Sequence, residues 1–139
     1  MRADAQPAWL TLLARWLLGA SLAVVAVAVL LPNTWLAELR IQWRWFSEAI
    51  NRVEALWPAI DMVHLVMFFA VGALAALAFP ARRARWLLAA IALVAIASEF
   101  VQVWIPGRTA SVGEVLLDVA GAALGVGVVV GLRRIARRQ

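Results

Sequence analysis

The chain has 139 residues, 65% of them hydrophobic, with a formal net charge of +5 and a mean hydropathy of +0.89. A water-soluble domain of this size cannot hide that much apolar surface, so the class is a membrane protein in which lipid is much of the solvent. Cysteine is absent, which excludes disulfides and thiolate metal sites, and the 13 basic residues are all arginine.

The first long apolar run covers about residues 10–31, interrupted by Arg15 and stopped by Pro32 and Asn33. It is long for a signal peptide and no small-residue cleavage site follows, so a retained membrane helix is expected. Between about 34 and 58, Trp35, Leu39, Trp43, Phe46, Ile50, Val53 and Trp57 recur at three-and-four spacing, with charged residues on the other face. This predicts an amphipathic helix lying in the membrane interface, where indoles keep both apolar contact and a hydrogen bond; a lid over a site beneath it is the functional alternative. Three further runs follow at about 62–79, 86–105 and 112–132, punctuated by Pro80 and by Pro106-Gly107. The expected fold is all-α: an integral membrane four-helix bundle in a single domain over 1–139, with an interfacial amphipathic helix between helices 1 and 2.

Arginine placement sets the expected topology. Arg2, Arg15, Arg82, Arg83, Arg85, Arg133, Arg134, Arg137 and Arg138 lie at the N-terminus, in the second loop and in the tail, while Glu38, Glu48 and Glu54 partly balance the arginines of the first loop. Positive charge is retained inside during insertion, so both termini are expected to be cytoplasmic. The tail then reads as a topology anchor and an anionic-lipid contact, not a nucleic-acid site, since no recognition fold accompanies it.

The polar residues near the helices fall at one membrane face. Asp61 and His64 open the second span, Glu99 and Gln102 close the third, Arg108 and Ser111 lie in the loop after it, and Glu114 and Asp118 begin the fourth. A charge near the bilayer centre costs roughly 2.5–3.5 kcal/mol, so such groups pair or line a polar cavity, and their convergence predicts one outward-facing pocket. Each has a structural reading too. Ser111 and Glu114 form a capping box, Asp61 suits a helix N-cap, and Arg108 would neutralise Glu99 or Asp118. Glu99 lies deeper and no cap needs it. On the last helix, Gly121 and Gly125, then Gly127 and Gly131, are spaced four apart, which suits close packing within the molecule.

Taken together, Asp61-x-x-His64 followed by Phe68 and Phe69, Glu99-x-x-Gln102, Pro106-Gly107-Arg108-Thr109-Ala110-Ser111, and Glu114 and Asp118 before Gly121 and Gly125 resemble the VanZ-like family of bacterial membrane proteins. The chain departs from the family pattern at Met62 (usually lysine), Glu114 (usually aspartate) and Asp118 (usually asparagine), the last making the site more acidic. The resemblance implies a multi-pass protein of the bacterial cytoplasmic membrane with an envelope role, linked in the founding member to resistance against the glycopeptide teicoplanin.

Three functions are open at this point. The first is a non-enzymatic protein whose ligand-binding residues Asp61, His64, Glu99, Gln102, Arg108, Ser111 and Asp118 hold a polar or lipid-linked envelope molecule, its tail on apolar helix surfaces. The second is an intramembrane enzyme acting on an envelope lipid, with catalytic candidates His64, Asp61 and Glu99 and with His64 oriented by Asp61 or sharing a divalent metal. The third is a structural partner of a larger membrane complex, acting through the glycine face and the amphipathic loop. No cofactor and no metal site is expected, and the partners anticipated are membrane lipids, a lipid-linked or glycopeptide ligand, and a membrane protein.

Overall fold

The computed structural model describes residues 6–58 and 60–138; Arg2, which contributes to the expected topology, lies outside them. The described residues form six helices and no strand: α1 (Ala8–Leu30), α2 (Asn33–Gln42), α3 (Arg44–Ala55), α4 (Met62–Ala78), α5 (Ala84–Gln102) and α6 (Val112–Ala136). Helices α1, α5 and α6 are long and apolar enough to cross a membrane, whereas the apolar α4 has 17 residues and covers about 26 Å at 1.5 Å per residue.

Proline sets two of the boundaries. Leu31 and Phe79 each precede a proline and leave the helical region, at φ −77°, ψ 130° and φ −129°, ψ 63° respectively, because the following ring clashes with a helical residue before it. The third apolar run behaves differently. The run of apolar residues extends to Ile105, but α5 ends at Gln102, and Trp104 and Ile105 donate three residues back to Val101 and Gln102. That tightening closes the helix before Pro106 is reached.

The expected single helix over 34–58 is two helices. Trp43 is at φ −108°, ψ 70°, ending α2 and preceding α3; its amide donates to Leu39 and its carbonyl accepts from Phe46 and Ser47. The bend brings Arg40 within 2.9 Å of Glu54, residues that a straight helix would hold about 21 Å apart. Periodicity reports which face is apolar but not whether the axis is continuous. No residue of α2 or α3 is buried, so their aromatic side chains have no protein core to enter.

Packing centres on α4, which contacts α6 most extensively and α1 next, while α5 packs chiefly on α6. Phe68 and Val71 of α4 meet Leu18 of α1, Ala95 of α5 and Ala122 of α6 in the main core. The outer faces carry large exposed apolar side chains such as Trp16, Leu93, Ile96 and Leu124, a distribution suited to lipid and not to water. Contacts fix the directions of the helices. The start of α1 meets the end of α4 through Arg15 and Ala78, and α4 runs parallel to α6, with Leu65 beside Gly121 and Phe69 beside Gly125.

Candidate functional site

The α4–α6 contact is made backbone to backbone. A Cβ on Gly72 would collide with the carbonyl of Ala122, one on Gly121 with that of Leu65, and one on Gly125 with that of Phe69. Gly127 and Gly131 have open space instead, so only the first pair expected from sequence packs within the molecule. At the start of this seam, His64 projects from α4 toward α6, and its Nδ1 lies 2.9 Å from Oδ1 of Asp118. Asp118 is fully enclosed at 1% exposure. The other ring nitrogen, Nε2, is 3.5 Å from Oε2 of Glu114, one turn earlier on the same face of α6. The imidazole is thus held between two carboxylates.

Asp61 does not orient the imidazole. Its carboxylate accepts from the backbone amides of Val63 and His64, both at 3.1 Å, and so caps α4. The group facing the ring is Asp118, 54 residues away in sequence, which periodicity along one helix cannot pair with it.

The expected capping box is present in half. Ser111 Oγ accepts from the Glu114 amide at 3.4 Å, but the return bond comes from elsewhere: the Ser111 amide donates to Oε2 of Glu99 at 2.6 Å. Glu99, at the end of α5, therefore closes the N-terminus of α6, and Glu114 is released to face His64. The second oxygen of Glu99, Oε1, is buried with no partner among the described residues. Gln102, one turn on, is also buried.

Arg108 pairs with neither Glu99 nor Asp118. It follows a turn in which its amide donates to Ile105 at 3.1 Å and Gly107 takes φ +78°, a Pro-Gly pair suited to that geometry. Asn33 Nδ2 donates to the Gly107 carbonyl, a tie between α2 and this loop that no local pattern in the sequence announces. The guanidinium reaches α1 and donates through one terminal nitrogen to the Ala28 carbonyl at 2.8 Å. In a continuing helix that carbonyl would receive the amide of residue 32, which is a proline and has none. Arg108 Nε is buried and has no partner among the described residues.

The opposite end of the bundle repeats this device. Pro80 deprives Ala76 of its amide donor, and Arg133 Nη2 supplies one at 2.9 Å; Gln6 donates to Leu77 at 3.0 Å and Arg15 to Ala78 at 3.2 Å. Two cations thus sit at the negative end of the α4 dipole. Two clefts, of about 500 and 340 Å3, open at this end on either side of the last turns of α6. None of the residues expected to bind a ligand lines them. Among the described residues, no group of three or more His, Asp or Glu is arranged to hold a metal ion.

Helices of this length and apolarity, with carboxylates and an imidazole gathered at one end and arginines at the other, define an all-helical protein of the membrane-spanning kind. The family model described as VanZ/LLP1 matches residues 9–134, and the chain belongs to that family. The match takes in α1 to α3 as well as the motif-bearing helices. Searches of curated proteins and of solved structures returned no match.

Proposed function

We propose that α1, α4, α5 and α6 are four spans of the bacterial cytoplasmic membrane, with both termini cytoplasmic and α2 and α3 lying in the outer interface. The end bearing Glu99, Gln102, Arg108 and Ser111 then faces outward, beside His64, Asp118 and the Asp61 cap, and binds the polar head of an amphiphilic envelope molecule. The arginine distribution, the alternation of helix directions and the unburied aromatics of α2 and α3 support this reading.

One observation carries the binding argument: Glu99 Oε1 and Arg108 Nε are both buried and neither has a partner among the described residues. A buried acceptor and a buried donor left open are costly, roughly 1–3 kcal/mol each and more when charged, and a ligand presenting an N–H and an oxygen offsets both. Amides supply both kinds of group. The founding member's link to teicoplanin points the same way, since a glycopeptide is rich in amides. Apolar helix surface beside the site would take the tail of a lipid-linked ligand, with no bond made or broken.

The test is Glu99→Gln, which keeps an acceptor for the Ser111 amide but turns the open acceptor into a donor. Teicoplanin tolerance and copurification of an envelope ligand should be lost while membrane abundance and thermal stability hold; unchanged tolerance at equal abundance rules the reading out. Orientation is checked separately in this cysteine-free chain: a membrane-impermeant thiol reagent should label Ser47→Cys from outside the cell and leave Ala81→Cys unlabelled.

A second reading rests on His64 between Asp118 and Glu114. A buried aspartate on one ring nitrogen, with the partly exposed Glu114 carboxylate 3.5 Å from the other, is the arrangement of an oriented acid–base imidazole. His64→Gln distinguishes the two: loss of function with ligand copurification retained favours catalysis on an envelope lipid.

A further inference from the structure

The arginine end is more than a scatter of topology signals. The larger cleft has Leu10, Leu77, Val129 and Leu132 as its apolar wall and reaches Arg133 and Arg137. The smaller has Phe79, Leu87 and Val130 as apolar lining and reaches Arg82, Arg83 and Arg134. Pro80, Arg133 and Arg137 line both, so the two clefts flank the same cationic turn of α6. Arg133 is committed to the end of α4 and to Gln6. Arg82, Arg83, Arg134 and Arg137 make no ion pair with a carboxylate among the described residues, and neither the 80–85 loop nor the segment 133–138 contains an acid.

We propose that this end holds one anionic lipid of the two-phosphate type, a bisphosphatidylglycerol, with a phosphate in each cleft and acyl chains lying along the two apolar walls. The smaller cleft offers Arg82, Arg83 and Arg134 to a first phosphate, and a headgroup that straddles the shared Arg137 brings the second into the larger cleft, where Arg133 is already committed. Arginine is suited to this because its planar fork donates two parallel bonds to phosphate oxygens, and basic recesses between helices at a membrane surface recognise such headgroups. The site is independent of the outward one: it uses none of Glu99, Arg108 or His64.

The experiment is native mass spectrometry of the purified full chain titrated with defined lipids. The wild-type protein should retain one bisphosphatidylglycerol on the order of tenfold more tightly than phosphatidylglycerol at equal phosphate, and should show no preference for zwitterionic lipid. Inorganic pyrophosphate should fail to displace it, because the apolar walls contribute. The paired variants Arg82→Gln/Arg83→Gln and Arg134→Gln/Arg137→Gln should each reduce retention to that of phosphatidylglycerol, with an unchanged melting temperature showing that the fold is kept. Equal retention of one- and two-phosphate lipids by the wild-type protein overturns the proposal without recourse to any variant. Displacement by pyrophosphate overturns it as well, and so does undiminished retention by folded variants.

Discussion

The Nδ1 of His64 and the Oδ1 of Asp118 lie 2.9 Å apart across the glycine-lined contact of α4 and α6. Because Leu65 and Phe69 rest against glycine backbone, the offset of the two helices is set by main-chain atoms, and the imidazole inherits that position. Asp118 can only accept when ionised, so the neutral ring should carry its proton on Nδ1. The chain has a single histidine, which makes the measurement direct: ¹⁵N chemical shifts should report the Nδ1–H tautomer, and Asp118→Ala should shift the population toward Nε2–H. An Nε2–H majority in the unaltered protein would contradict this pairing.

Glu99 closes α6 from another helix, and its loss should be felt there. Glu99→Ala leaves the Ser111 amide without its acceptor, at a cost of about 1–3 kcal/mol, and the thermal midpoint in detergent should fall. Glu99→Gln, which still accepts, should recover most of the stability. Hydrogen exchange at the first turn of α6 should rise in the alanine variant and not in the glutamine one.

The glycines of α6 should separate cleanly. Gly125→Val places side-chain atoms on the Phe69 carbonyl and the Ala73 amide, and overpacking of about 1–3 kcal/mol or more is expected because backbone cannot move aside. Gly127→Val faces open space and should be close to neutral. Comparison of melting temperatures and of monodispersity after purification decides it.

Arg108 and Pro32 should be energetically coupled through the Ala28 carbonyl, although they lie far apart in sequence. Arg108→Ala orphans that carbonyl, which in lipid has no water to turn to, at roughly 1–3 kcal/mol. Pro32→Ala restores a local amide donor, so the double variant should be less destabilised than the sum of the two single variants. Additivity within about 0.5 kcal/mol would show that Arg108 does not serve the end of α1.

Residue patterns that act within one turn are legible in the sequence. Asp61 caps α4 as its position suggests, Ser111 caps α6, and the apolar runs locate their helices to within a few residues. What escapes depends on contacts between segments. Glu114 reads as the return half of a capping box because it is three residues from Ser111; the group that performs this role, Glu99, is 12 residues away in sequence and reaches Ser111 only because α5 and α6 meet. Arg108 reads as a counterion for nearby carboxylates, yet the orphan carbonyl that claims it is created by Pro32, 76 positions earlier in the numbering. The prolines are visible and the missing amides follow from them; the residue that fills each gap does not. Trp43 satisfies the apolar period on both sides of a break, so a pattern of faces cannot reveal it.

The arginine that completes each proline-stopped helix comes from far downstream: Arg108 for α1 and Arg133 for α4. While the chain is being synthesised, the last turn of the first helix therefore waits for a residue that follows the α5 helix, and that of α4 waits for one in the last turn of α6. Neither early helix reaches its finished state alone. Assembly is accordingly a late, collective event, and a chain truncated before residue 133 would leave the Ala76 carbonyl of α4 without its donor even though all of α1, α4 and α5 had already been made.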